Sequence, residues 1–227
     1  VAAKAKTYRP QVLLVNSEQL TQTLLLDYLS AHDLVVTVAS SFAQASEILK
    51  AKPIDLVITD LILEERRISK AEFLSFINGN SNTGTVIFTS VPDPRLLGIE
   101  LNQIPRHAAY LVSDQESSLN DLLEACRFVL SGRVPTKHRH HLLAKHALAE
   151  LSRSQLNVLS LVAAGASNTE IAKQRGTTVR AVENLMKRTL SAMKLDGSPD
   201  SNSRVKAVLI YLETIGIKAP TRLDSKN

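Results

Sequence analysis

Seven polar side chains recur through residues 180–194 at the spacing of one helix face: Arg180, Glu183, Asn184, Lys187, Arg188, Ser191 and Lys194. The opposite face carries Val182, Leu185, Met186, Leu190 and Met193, an apolar stripe for a core. A helix of this width fits a nucleic-acid major groove. There Glu183 can accept from cytosine, Asn184 can pair with adenine, and Lys187 can reach guanine or phosphate. Arg188, Lys194 and Thr178 are better placed for phosphate oxygens, with Arg180 adding positive charge. An amphipathic helix with a solvated charged face is the plainer alternative. The elements ahead of the helix weigh against it.

Ser152-Arg153-Ser154-Gln155 has the form of a capping box, which satisfies orphan backbone amides at a helix start. The helix it opens turns Leu156, Leu159, Val162 and Ala163 inward, and Gly165 ends it. Ser167-Asn168-Thr169-Glu170 is a second capping box, on a short helix with Ile171 and Ala172 as core contacts. Gly176 ends that helix and Thr178 caps the long one, which is a helix-turn-helix arrangement. A final helix carries Val205, Val208, Leu209, Leu212 and Ile215, with Gly216 after it.

Other reactive residue types are few. His138, His140, His141 and His146 cluster, but only the last two approach a helical ligand spacing and no nearby carboxylate completes a site. A polar basic linker is the favoured reading, with no metal. Cys126 is the single cysteine, so there is neither a disulfide framework nor a thiolate cage. The sequence holds no nucleophile-base-orienter pattern or phosphate-cradling glycine loop, and an enzyme is not expected.

Charge divides the 227 residues. Residues 1–130 hold 11 Lys/Arg against 15 Asp/Glu, net −4, and residues 131–227 hold 16 against 7, net +9. A basic half is drawn to a polyanion. No apolar run approaches the ~18 residues that span a bilayer, and Val1–Pro10 does not read as a secretion signal. No membrane partner is expected, and a bacterial cytoplasm is the expected location. The first half alternates branched apolar runs (Val12–Val15, Leu34–Val38, Leu56–Ile58, Val86–Phe88, Tyr110–Val112) with helical patterns. One pattern has Leu20, Leu24, Leu25 and Tyr28, another Phe42, Ala45, Ile48 and Leu49, a third Phe73, Leu74 and Ile77, and the last Leu119, Leu122, Leu123, Cys126 and Val129. Such alternation predicts a doubly wound parallel α/β sheet. The expected domains are 10–131, a linker at 132–150 that turns helical toward its end, 151–217, and a tail at 218–227.

Residues 151–195 resemble the LuxR-type helix-turn-helix of NarL/FixJ-type response regulators, through Gly165-Ala166-Ser167-Asn168-Thr169-Glu170-Ile171-Ala172 and Val182-Glu183-Asn184. The resemblance implies an all-α four-helix domain that binds double-stranded DNA, with Glu183, Asn184 and Lys187 toward bases. It also implies a homodimer paired through the last helix, for which Val208 and Leu212 are the candidates, and Arg204 joins the DNA-binding set. Glu183 replaces the family's usual cation and Leu185 its histidine, and the segment 196–202 is longer than the family's loop.

Residues 11–130 resemble a receiver domain, through Asp55-Leu56-Val57-Ile58-Thr59-Asp60 and Phe88-Thr89-Ser90. The resemblance implies a flavodoxin-like fold with a five-stranded parallel sheet, Asp60 at the phosphoryl-acceptor position and Thr89 at the switch position. Phosphoryl transfer to a carboxylate needs cations. Asn16 and Ser17 stand where receivers carry a magnesium-binding acid pair, and Ser113 where they carry lysine. Glu18 lies one residue beyond the pair. The expected cofactor is therefore none, and the expected function is a transcription regulator working without phosphorylation. Asn16, Ser17, Asp60, Thr89 and Ser113 then form a hydrogen-bonded plug, or a cleft for a small ligand or regulatory protein. The alternatives are phosphorylation of Asp60 by a histidine kinase, and an interaction adaptor that has lost DNA binding.

Overall fold

Short branched runs form five strands, β1 (Gln11–Val15), β2 (Val35–Ala39), β3 (Leu56–Thr59), β4 (Gly84–Thr89) and β5 (Ala109–Val112). The structure, a computed structural model, describes residues 8–63, 70–80, 82–113, 118–139, 146–195 and 202–217. All strand pairs are parallel and the order is β2-β1-β3-β4-β5, the flavodoxin-like winding. Successive side chains point to opposite faces, so the continuous apolar runs bury both. Val12, Leu14, Ile58, Val86 and Leu111 form one core with Leu25 and Leu29 of α1 (Gln19–Ser30) and Leu122, Cys126 and Val129 of α4 (Leu119–Leu130). Phe42 of α2 (Phe42–Ala51) meets Phe73 and Phe76 of α3 (Lys70–Gly79).

The inward stripe expected for α1 needs correction. Leu20 and Leu24 are 75% and 54% exposed, and Leu25 and Leu29 take the core positions. Cys126 is buried in that core, which pushes its thiol up to about 12 and leaves it unreactive.

The second half is helical: α5 (Arg153–Ala163), α6 (Asn168–Gln174), α7 (Val179–Ala192) and α8 (Ser203–Thr214). Ser152 and Ser167 form the two expected capping boxes, and Thr178 accepts from the Ala181 amide. Gly165 and Gly176, at φ of 86° and 61°, end α5 and α6 in the left-handed region that glycine enters without strain. On α8 the buried residues are Ala207 and Tyr211, followed by Ile215, whereas Val205 is 49% exposed. The expected inner stripe of that helix is therefore rotated.

The chain separates into two compact units, Val1–Thr89 with Glu100–Leu142, and Ser90–Ile99 with Leu143–Asn227. The division differs from the sequence reading at residues 90–99. These leave the end of β4 and belong to the helical unit, where Pro94–Leu97 form a 3-10 turn packed on α5. The expected linker is split as well. Thr136–His138 form a 3-10 turn in the sheet unit, and residues 146–150 make turns, not a regular helix. His140, His141, residues 142–145, most of the 196–202 loop and the 218–227 tail lie outside the described residues.

Candidate nucleic-acid interface and receiver-like cleft

The long helix α7 sorts its side chains by face as its sequence predicts. Arg180, Glu183, Asn184, Lys187, Arg188, Ser191 and Lys194 are all exposed, as is the capping residue Thr178. Val182, Met186 and Thr189 are buried, and Leu185, Leu190 and Met193 are half-buried. Thr189 is the residue the hydrophobic pattern missed. Its hydroxyl donates to the Leu185 carbonyl at 2.9 Å, so a polar side chain enters the core already satisfied. Four cations against one carboxylate give the exposed face a net positive charge, the electrostatic requirement for following a phosphate backbone.

Side-chain contacts tie α7, the turn before it and the start of α6 to α5 and α8. Gln155 of α5 donates to the Arg188 carbonyl at 3.4 Å. Arg175, in the turn before α7, donates to the Asn157 side chain. Arg204 is half-buried and donates to Asn168 Oδ1 at 2.9 Å and to the Ala166 carbonyl at 3.4 Å. The structure therefore places Arg204 against the start of α6. Lys194 sits at φ 56° just past the helix end, a left-handed position usually taken by glycine. Its amide and that of Leu195 bond back to Ser191 and Leu190, closing the last turn.

In the sheet unit, Asn16, Ser17, Asp60, Thr89 and Ser113 fall at the carboxyl ends of the strands. That is the edge where ligands bind in sheets of this winding. Asn16 and Thr89 are buried, while Ser17 and Ser113 are exposed. Asn16 Oδ1 accepts from the Glu18 amide at 2.8 Å, and Glu18 in turn accepts from the Thr21 hydroxyl at 2.7 Å. Asp60 Oδ1 accepts from the Ile62 amide at 3.1 Å, and its carboxylate is also hydrogen-bonded to Thr89. The Ser113 amide donates to the Thr89 carbonyl at 2.8 Å. Among the described residues no group of three His, Cys, Asp or Glu side chains is placed to hold a metal. Among the described residues, Asp60 and Glu18 are the carboxylates near the cleft, and both already have protein partners. That is a poor donor set for a hard divalent cation.

Burial raises the Asp60 carboxyl above its ordinary range, only partly offset by its bonds to Thr89, Ile62 and Leu61, and the nearby Glu18 charge adds to the rise. The folded state thus holds this proton more tightly than the unfolded chain. Below the unfolded value, ~3.9, the group costs nothing, and the penalty appears as pH rises through the folded value. Asp60→Asn is therefore expected to raise the melting temperature of the sheet unit at about pH 7, with the gain shrinking toward about pH 4. Thermal unfolding of both proteins across that range checks it. A variant less stable at neutral pH would mean that the bonds to Asp60 outweigh its burial.

The sequence reading missed one polar cluster of the helical unit. Asp93 is 5% exposed and accepts from the Arg95 amide at 2.8 Å, from Arg95 Nε at 2.8 Å and Nη2 at 2.6 Å, and from His146 Nε2 at 3.4 Å. The Leu148 amide donates to His146 Nδ1 at 3.2 Å, which leaves Nε2–H as the donor to Asp93.

No protein-family model matches the sequence, and no curated protein matches it. Solved structures match over nearly the whole length. RcsB from Salmonella enterica serovar Typhimurium, bound to promoter P1flhDC in the presence of phosphomimetic BeF3−, gives a TM-score of 0.58 at 16% identity, covering 92% of this chain and 100% of that one. The same protein bound to promoter rprA gives 0.56 at 19% identity over 91% and 100%. A structure of two RcsB dimers on two parallel DNAs gives 0.54 at 18% identity over 92% and 100%. At such identities the likeness is one of fold. This chain shares the fold of RcsB, a five-stranded parallel α/β unit with a helix-turn-helix unit.

Proposed function

We propose, from the response-regulator fold that the chain shares with RcsB, that it is a sequence-specific DNA-binding transcription regulator whose receiver-like unit works without phosphoryl transfer. The observation that carries this reading is the exposed face of α7, where Asn184 and Lys187 are free of the core and flanked by Arg180, Arg188 and Lys194. Asn184, Lys187 and Glu183 read base edges in the major groove, while Arg180, Arg188, Lys194 and Thr178 meet phosphates. Arg204 acts through Asn168, holding α6 so that the turn presents α7 at a fixed angle. That the neighbouring RcsB structures contain DNA supports the same reading.

The make-up of the cleft supports a reading without phosphoryl chemistry. Asn16 and Ser17 supply no carboxylate, Ser113 supplies no cation, and Asp60 is held by Thr89 and Ile62. The cleft then serves as a hydrogen-bonded plug or takes a neutral ligand or a regulatory protein, and magnesium has no role in it.

Genomic pull-down with the purified chain, followed by salt-titrated binding to the enriched fragments, tests the proposal. Affinity falling steeply with salt, and unchanged by acetyl phosphate with magnesium, supports it. Absence of any enrichment would reject DNA binding and leave the adaptor reading. Affinity that rises with acetyl phosphate in the wild type but not in Asp60→Ala would restore phosphorylation.

The outer strip of α8 supports dimerisation through this helix, since Val205 is 49% exposed and Val208 and Leu212 are half-buried one and two turns on. A two-fold pair along this strip suits a symmetric operator. Leu212→Lys places a charge there and is expected to convert a dimer to a monomer in sedimentation, with loss of cooperative binding to two half-sites. An unchanged sedimentation coefficient would move the dimer interface elsewhere.

A further inference from the structure

Apolar contacts hold α7 in the helical unit without fixing its exact pose. Val182 and Met186 are buried, but apolar burial has no preferred direction and tolerates a small slide or roll of the helix. Reading base edges tolerates neither, because a functional side chain must sit within about 0.5 Å of its productive position. Directional bonds are needed to set the pose. Helix α5 supplies two of them, through Gln155 and Asn157.

Gln155 is used at both ends of its amide. Its Oε1 accepts from the Ser152 amide at 2.9 Å, which closes the capping box of α5 and fixes the way the side chain faces. Its Nε2 is thereby left for α7, where it donates to the Arg188 carbonyl at 3.4 Å. A helix carbonyl has two lone pairs and its intrahelical bond uses one, so this bond adds to α7 without opening a turn. A glutamate closes a capping box equally well, but as a carboxylate it has no proton to give to Arg188. Asn157 makes the second tie. Its Oδ1 accepts from Nη1 of Arg175, the residue that ends α6 and begins the turn into α7. The Thr177 amide in that turn bonds back to the Ala172 carbonyl at 2.9 Å, and Thr178 caps α7. A hold on Arg175 therefore reaches the first turn of α7 through ordered backbone. Residues two apart on a helix do not face the same way, so the two ties leave α5 in different directions. One meets the approach to α7 and the other its C-terminal half.

We propose, on the reading of α7 as the helix that meets DNA, that α5 aligns it for base recognition. Asn157, acting through Arg175, sets where α7 begins, and Gln155 sets its roll at Arg188. Gln155, Asn157 and Arg175 are positioning residues. The Gln155 bond falls on the backbone of Arg188, one turn after Asn184, so it steadies the stretch of α7 that carries both the base-reading and the phosphate-binding side chains. Loss of either tie leaves the cations of the exposed face in place, and with them the general attraction to a duplex. What it removes is discrimination.

Two measurements on the full-length chain test this. One is the ratio of affinities for the enriched operator and a scrambled duplex, taken at matched salt so that a uniform change in charge cancels. The other is hydrogen exchange without DNA, resolved by peptide and read by mass spectrometry. Gln155→Glu keeps the cap and removes the donor, and Asn157→Ala removes the acceptor. Each is expected to narrow the ratio about fivefold, the effect of one hydrogen bond, and to speed exchange in α7. Amides at the start of α5 should exchange as in the wild type in Gln155→Glu, because its capping box is kept. Asn157→Asp gives Arg175 a charged acceptor in place of a neutral one and should hold both readings at the wild-type level. A wild-type ratio in both Gln155→Glu and Asn157→Ala would overturn the alignment role, even with faster exchange in α7, since the ties would then serve stability alone. A ratio as narrow in Asn157→Asp as in Asn157→Ala would overturn the part given to Asn157. If the wild type prefers no duplex, base reading itself has failed. Exchange then decides whether α5 holds α7, and unchanged α7 exchange in both variants would overturn the ties as well.

Discussion

Replacing Asn184 with alanine is expected to weaken binding to the enriched operator by about 5- to 150-fold, the ~1–3 kcal/mol of a good bidentate base contact. Asn184 is exposed one helical turn after Arg180 and one residue before the half-buried Leu185. It contributes nothing to the buried set of α7, so the change leaves the fold intact. The loss should fall on the operator and spare unrelated duplex, so that discrimination between the two narrows at every salt concentration. Arg188→Ala is the contrasting case. Removal of a phosphate contact weakens both duplexes alike and lowers the slope of log K against log salt by about 0.9. Titrations at four or more salt concentrations, on operator and on scrambled duplex, separate the two. Equal losses on both duplexes for Asn184→Ala would remove it from the base-reading set and leave α7 as a purely electrostatic contact.

The helix-turn-helix was legible because its signals are local. A capping box spans four residues, and Ser152 with Gln155 and Ser167 with Glu170 form their reciprocal bonds as the sequence requires. The sheet was legible for a similar reason, since short branched runs bounded by helical patterns leave few alternatives to a parallel arrangement. The orientation of α1 was less so. Its leucines at 20, 24, 25 and 29 allow more than one inward stripe, and only the packing against the sheet chooses Leu25 and Leu29. On α7 and α8, polar or ambivalent residues entered the core. Thr189 does so with its hydroxyl turned back to Leu185, and Tyr211 does so with its hydroxyl on Leu96.

Distance along the chain concealed the packing of residues 90–99 in the helical unit. Tyr211 and Leu96 are 115 residues apart, and Ser90 and Ile215 are 125 apart. No periodicity or cap connects residues so far separated, and the segment itself reads as a loop rich in proline. Burial pushes the Tyr211 phenol up to about 12, against a hydrogen bond from Ser160 of α5. The Tyr211 hydroxyl thus joins α8 to residues 90–99. The partner of His146 was concealed in the same way, since Asp93 lies 53 residues earlier.

Asp93 carries the second large effect. Burial alone would raise its carboxyl, but the hydrogen bonds from His146 and Arg95 outweigh that and hold it well below the ordinary carboxylate range. Removing one partner of a fully buried pair costs about 3–5 kcal/mol, because the other charge is left behind. Arg95 keeps 28% exposure and can turn partly to water, so Asp93→Ala is expected to destabilise the helical unit by about 2–3 kcal/mol. A depressed folded value means that Asp93 contributes stability in full above the unfolded value of ~3.9, and that this contribution is lost as pH falls through the folded value. The gap between wild type and Asp93→Ala should therefore be constant from about pH 7 to about pH 5 and close below about pH 4. Pulsed hydrogen exchange of α5 and α8 peptides along a urea series measures the gap for the helical unit separately from the sheet unit. A gap that stays the same at about pH 3 and about pH 7 would mean that Asp93 acts through packing and the Arg95 amide alone, with its charge contributing nothing. A gap that closes would trace the acid sensitivity of the helical unit to the Asp93 carboxylate and its bonds from Arg95 and His146.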